Sequence, residues 1–309
     1  MAASDLRALL GPRLKLAEPL ARYTSARLGG PADYFVAAES AADLADLVRT
    51  ARQAELEPVI LGGGSNVLVA DAGVRGLVIL NRARAVEFRA DAAQPTVWAE
   101  SGANLGLLAR QCAGRGLSGL EWAATVPGTV GGAVFGNAGA HGGDTAGNLV
   151  VAAILQQDGR VEAWRGSELG FAYRTSRLKQ AKAAGRPLVV LGAELALTAG
   201  DPAALQAQVE QFVAHRKRTQ PPGASMGSMF KNPPGDYAGR LIEAAGLKGA
   251  RRGQVEISSL HANFFVNLGE AHAAEVFALI HQAHAAVHQQ FGVDLELEVE
   301  LIGDWTGTC

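Results

Sequence analysis

Two glycine-rich strings are the residues whose types and spacing most clearly suit chemistry. Gly62-Gly63-Gly64-Ser65-Asn66 joins two apolar runs, Pro58–Leu61 and Val67–Val69. The second string begins Val126-Pro127-Gly128-Thr129-Val130-Gly131-Gly132-Ala133 and continues through Gly136-Asn137-Ala138-Gly139-Ala140-His141-Gly142-Gly143. Glycine permits positive φ and close approach of a ligand to the backbone, and clustered amides form a nest for an anion. Tight turns alone explain either string singly. Two in one domain favour a pyrophosphate-containing cofactor lying across both. No Walker-type lysine follows either string, which disfavours a nucleoside triphosphatase.

Other motifs fail on context. Gly114, Gly116 and Gly119 satisfy G-x-G-x-x-G, but they follow a helical pattern rather than a strand, so they read as a helix stop and turn. Gly223-Ala224-Ser225-Met226-Gly227 matches the nucleophile elbow, yet it follows Gln220-Pro221-Pro222 and leads into no clear helix. A serine hydrolase using Ser225, with His261 and Asp294 downstream, is therefore only a formal alternative. His272, His281, His284 and His288 lie on one long helix beside an apolar stripe, with no cysteine or carboxylate expected to complete a metal site. No metal is expected. The basic clusters Arg216-Lys217-Arg218 and Arg251-Arg252 read either as solvated surface or as local capture of an anion.

These residues need elements to position them. Ser40 caps an expected helix whose Leu44, Leu47, Val48 and Ala51 form one stripe. Strands are expected at Pro58–Leu61 and Leu77–Leu80, and a helix from Asn104 carries Leu105, Leu108, Ala109 and Cys112 on one face. Asp158-Gly159 sits between two strand-like runs as a hairpin turn. A strand over Leu188–Leu197 leads to Asp201-Pro202, a cap and first-turn proline opening a helix, and the main domain boundary is expected there. Further on, the pattern predicts a helix over Tyr237–Ala245, a strand around Val255–Asn267, a helix over Ala271–Phe291 and a strictly alternating strand over Leu295–Ile302. The mixed order indicates an α+β fold.

The 309 residues carry 48% hydrophobic and 19% charged side chains, an ordinary globular balance, and a net charge of −2 gives no field suited to nucleic acid. No apolar run approaches the roughly 18 residues of a membrane span, and the N-terminus lacks a secretory pattern. With only Cys112 and Cys309, a disulfide framework is not expected, and a cytoplasmic location is. Cys112 reads as core.

Longer strings carry a resemblance. LGGGSNVLVADAGVRGLVI, GLEWAATVPGTVGGAVFGNAGAHG, FAYRTS, GSMFKNP and AGRLIEAAGLKG occur in that order between about Tyr23 and Gly303. Together they resemble the UDP-N-acetylenolpyruvoylglucosamine reductase (MurB) family. The short span between Arg174 and Ser228 is similar to the family's second type. The resemblance implies an FAD-binding domain of the vanillyl-alcohol-oxidase (PCMH) type over residues 23–198, with lobes at 23–80 and 81–198. It also implies an N-terminal segment over 1–22, a substrate domain over 199–296 and a C-terminal strand over 297–309 returning to the active site.

The same resemblance implies NADPH as reductant and a sugar nucleotide, UDP-N-acetylglucosamine enolpyruvate, as substrate. The product would be UDP-N-acetylmuramate, a peptidoglycan precursor, and a monomer is expected. FAD would lie along Gly62, Gly63, Gly64, Ser65 and Asn66, and along Pro127, Gly128, Thr129, Gly131, Gly132, Asn137, Gly139 and His141. The family's arginine falls at Arg174, its acid serine at Ser228 and its glutamate at Glu298. Hydride delivery to the methylene carbon leaves negative charge that a guanidinium can meet, and a positioned hydroxyl can then supply a proton. Lys231 is a candidate neighbour for that hydroxyl. Arg216, Lys231 and Asn232 match the family's substrate-binding positions, and His261 and Asn263 are either polar contacts or a capped strand end. His141 stands where the family often has tyrosine, Trp122 where it often has phenylalanine, and Gly136 where methionine is common. An FAD oxidase acting on an alcohol or hydroxy acid and a non-catalytic sugar-nucleotide-binding module are the other readings.

Overall fold

The structure, a computed structural model, describes residues 3–90 and 93–306. Cys309 lies outside the described residues. By its contacts the chain divides into two compact units. Unit 1 takes Met1–Leu14, Val36–Gly63 and Val78–Arg216, and unit 2 takes Lys15–Phe35, Gly64–Leu77 and Lys217–Cys309.

Unit 1 is built on a five-stranded antiparallel sheet in the order Val161–Arg165, Leu149–Leu155, Val189–Ala196, Thr96–Glu100, Val86–Arg89. The hairpin at Asp158-Gly159 forms as its sequence predicts, with Gly159 at φ +83. The helix Ala41–Gln53 starts where Ser40 accepts the Asp43 amide, and the helix Leu105–Gly114 starts where Asn104 accepts the Leu107 amide. Leu105, Leu108, Ala109 and Cys112 of that second helix are buried as their spacing requires. Burial pushes the Cys112 thiol up to about 12, which makes it an inert core residue. Gly114 closes the helix and Gly116 and Gly119 follow at positive φ, so the G-x-G-x-x-G match is a helix stop.

The helix Pro202–Thr219 opens with its amides on Asp201 and sends Leu205 and Val209 into the core of unit 1. The contact boundary therefore falls at Arg216, near the end of this helix, rather than ahead of it at 199. Packing of the helix's first half against the sheet's core outweighs the turn chemistry at Gly200-Asp201 as a divider.

Unit 2 has a core of Leu68, Phe230, Ile242, Val255, Phe265 and Leu279, among others. The single strand expected over Val255–Asn267 is two strands, Val255–Ile257 and Phe265–Asn267, paired antiparallel. Ser258 breaks it: its hydroxyl accepts the amides of Leu260 and His261, a local bond that competes with a ladder. The helix Ala273–Phe291 buries Val276, Leu279, Ile280, Ala283 and Val287 and ends at Gly292 with φ +67. The last strand is regular only over Glu300–Ile302, where it pairs parallel with Val67–Val69. Among the described residues no helix is long and apolar enough to cross a membrane.

Candidate active site

In unit 1 the two glycine strings meet closely, Gly63 against the Gly128 backbone and Gly62 against the Thr129 side chain. A Cβ on Gly62 would sit 2.6 Å from the Thr129 hydroxyl oxygen, and one on Gly63 would sit 2.9 Å from the Gly128 Cα. No side chain fits at either position without parting the loops. Gly62 and Gly63 come straight off the strand Val59–Leu61, and Thr129 caps the short helix Val130–Gly136 by accepting the Gly132 amide. Gly63, Pro127, Gly132 and His141 nonetheless stay exposed on their outer side. A bare, close-packed backbone with an open face suits a diphosphate, so the residues present fit FAD.

Not every expected ligand contributes an amide. The Gly131 amide bonds the Ser101 carbonyl at 2.8 Å and the Gly132 amide is on Thr129. Gly131 instead allows contact with Ser101, whose Cβ would be 2.8 Å from any added Cβ. Gly139 packs in the same way on Asp144 at 2.9 Å.

Asn137 has its side chain fully engaged: it donates to Asp144 and to the Ala172 carbonyl and accepts from the Ala146 amide. Ala172 and Thr175 exchange two backbone bonds of 3.2 Å, leaving Tyr173 and Arg174 at the tip of a tight turn. Arg174 adopts φ +54, and the Ser176 hydroxyl donates to the Phe135 carbonyl at 2.5 Å.

His141 stacks on Phe212 with centroids 4.1 Å apart, and its Nε2 lies 3.2 Å from the Thr125 hydroxyl. Burial pulls its pKa below the usual imidazole value, and the neighbouring His215 and Arg216 add to that. Arg216 donates to the Thr125 carbonyl and is half-buried; burial lowers its pKa, and no acid among the described residues offsets that. Such a cation is ready for an anionic ligand. Thr125, which joins His141 to Arg216, carried no signal in the sequence.

In unit 2, Ser228 lies on a segment bonded on both edges. The Met229 amide donates to the Asn263 carbonyl at 2.8 Å, and Ser228 faces Phe264. On the other edge the Lys231 amide donates to Glu296, the Glu298 amide donates to Met229 at 2.9 Å, and Phe230 faces Leu297. Ser228 and Glu298 thus sit on adjacent segments. The first glycine string reaches the Glu298 segment, since the Asn66 side chain donates to the Glu298 carbonyl at 3.1 Å and the Glu300 amide donates to Asn66. Gly64 holds φ +60 against the Tyr23 carbonyl, a position closed to other residues.

Asn263 proves to be the capped-strand residue: its side chain accepts from the Phe230 amide at 2.9 Å and donates back at 2.8 Å. His261 takes the Asn263 amide on Nδ1, and burial pulls its pKa down. The Lys231 ammonium pairs with Glu296 rather than being reserved for Ser228. Asn232 accepts the Ala238 amide at the start of the helix Ala238–Ala244.

The hydrolase constellation does not assemble, for Asp294 pairs with His288 at 2.8 Å and Ser225 is followed by no helix before Ala238. Asp294 does stand beside His288, but among the described residues no group of three or more histidine, cysteine or carboxylate side chains could hold a metal. Both side chains of that pair are exposed, so the contact is a solvated one.

Residues 32–163 match an FAD binding domain, and residues 218–302 match the UDP-N-acetylenolpyruvoylglucosamine reductase C-terminal domain. A Symbiobacterium thermophilum protein named UDP-N-acetylenolpyruvoylglucosamine reductase 2 is 47% identical over 94% of this chain and 92% of its own length. The chain belongs to the UDP-N-acetylenolpyruvoylglucosamine reductase family. A Chloroflexus aggregans reductase of this family is 45% identical over 92% of this chain and 96% of its own. The crystal structure of the Thermus caldophilus reductase (MurB) superposes with a TM-score of 0.77 at 35% identity, covering 94% of this chain and 98% of that one. As a member of the reductase family the chain is an α+β oxidoreductase with an FAD-binding domain that acts on a small molecule. Membership of the reductase family also sets aside the hydrolase, oxidase and binding-module readings.

Proposed function

We propose that the chain reduces the enolpyruvyl ether of UDP-N-acetylglucosamine to the lactyl ether with electrons from NADPH, giving UDP-N-acetylmuramate for peptidoglycan precursor synthesis in the cytoplasm. The observation that carries this reading is the close approach of Gly62 and Gly63 to Thr129 and Gly128, which leaves a bare backbone for a cofactor diphosphate. Bound FAD would supply hydride carriage between NADPH and the vinyl ether. The FAD-binding part ends near Arg216 rather than at 198, the substrate part follows it, and the segment after residue 297 brings in Glu298.

The chain's own residues do the rest. Arg174 faces the carboxylate side of the vinyl ether, where an enolate-like charge develops once hydride reaches the methylene carbon; paired guanidinium donors suit that charge. The Ser228 hydroxyl gives its proton to the adjacent carbon, which balances the addition of one hydride and one proton across the double bond. Glu298 sits one backbone bond from Met229 and so can orient the group that re-protonates the serine. Arg216 takes the substrate diphosphate, for which a planar guanidinium is better matched than an ammonium. Lys231 and Asn232 hold the remainder, Lys231 by exchanging its exposed carboxylate partner for substrate.

The test is stoichiometric turnover without oxygen. One NADPH should disappear for each lactyl ether formed, as followed by absorbance and mass spectrometry. Reduction only in the presence of oxygen, with peroxide released, would return the chain to the oxidase reading.

A further inference from the structure

The geometry points to Asn137 as the positioning residue for Arg174, rather than as a contact to the flavin nucleotide. This rests on the reading of Arg174 as the group that meets charge on the substrate. Asn137 is 4% exposed and has φ 47, a conformation asparagine tolerates and most residues do not. Its amide nitrogen donates at 3.2 Å to Asp144 and at 3.1 Å to the Ala172 carbonyl, while its oxygen accepts the Ala146 amide at 2.9 Å. The Ala172 carbonyl also receives the Thr175 amide, so both of its lone pairs are in use.

Ala172 is one end of the turn that carries Arg174 at its tip. The other end is held by the Ser176 hydroxyl on the Phe135 carbonyl, two residues before Asn137. One short stretch, Phe135–Asn137, therefore pins both legs of the Arg174 turn. Asp144 serves as anchor, with its other oxygen fixed by the Gly147 amide. Loss of the Asn137 side chain frees one leg, and Arg174, already at positive φ, loses the constraint that keeps its guanidinium aimed.

Asn137→Gly removes the side chain while keeping a residue that accepts positive φ. Asn137→Asp keeps the acceptor for Ala146 and removes the donor to both Ala172 and Asp144. Both variants are expected to purify with FAD at the wild-type ratio and to be reduced by NADPH at a rate within about twofold of wild type. Reoxidation by the enolpyruvyl substrate should fall about tenfold to a hundredfold, the scale of a misplacement near 1 Å. In an Arg174→Ala background, Asn137→Gly should change reoxidation no further.

Loss of FAD, equal damage to both half-reactions, or full additivity with Arg174→Ala would overturn the positioning role. Normal reoxidation by Arg174→Ala alone would instead sink the reading of Arg174, and the inference with it.

Discussion

At the scale of the residue, the polar side chains that matter are those that burial takes out of water. Arg216 is half-buried and no acid among the described residues offsets its desolvation. Arg216→Ala should raise the KM for the sugar nucleotide about tenfold or more, the scale of one charge-assisted bond, and should leave reduction by NADPH near wild type; steady-state and single-turnover kinetics check both. His141 and His261 have folded pKa values pulled below their ordinary value near 6.5 by burial. The unfolded chain then binds protons more readily, so their contribution is complete above about 6.5 and is lost as pH falls toward the folded values. Denaturant midpoints should therefore drop between pH 7 and pH 5, and His141→Tyr should make that slope shallower. The glycines were legible in sequence because their chemistry lies in the backbone they expose. The partners of Asn137 and Asn263 were not, because Ala172 and Phe230 lie about 35 residues away along the chain.

At the scale of the element, the loops matter more than the strands that carry them. Gly63→Ala would put a methyl 2.9 Å from the Gly128 Cα, where both sides are backbone and neither can rotate away. We expect that variant to lose about 1–3 kcal/mol of stability and to purify largely without FAD, measured by thermal unfolding and by flavin absorbance per chain. Asn104→Ala removes the 2.8 Å cap on the Leu107 amide and should cost about 1 kcal/mol without changing flavin content. Caps, hairpin and amphipathic helices were all readable, since each is decided within a few neighbouring residues. The split of Val255–Asn267 and the shortening of the last strand to Glu300–Ile302 were not. Alternation gives the same pattern for a long strand and for an irregular segment bonded at single residues, as Leu297 is to Phe230.

At the scale of the whole molecule, the chain passes repeatedly between two compact units, and the first glycine string is divided between them at Gly63 and Gly64. A linear reading placed the boundary before the helix Pro202–Thr219, where the turn residues are; contact places it at Arg216, because Leu205 and Val209 belong to the first core. Turn chemistry marks where a chain bends, whereas long-range burial decides which core an element joins. Long ordered strings still sufficed to place the chain in its family, because such strings combine backbone constraint with side-chain chemistry.

On the proposed function, electrons pass from NADPH to the enolpyruvyl ether in two separable steps, with Ser228 needed only for the second. The direct measurement is anaerobic stopped-flow spectroscopy of wild type and Ser228→Ala. NADPH should bleach the flavin equally in both, and substrate should restore the colour rapidly in wild type and about a hundredfold or more slowly in the variant. Equal recovery in both proteins, or no recovery in wild type until oxygen is admitted, would contradict it.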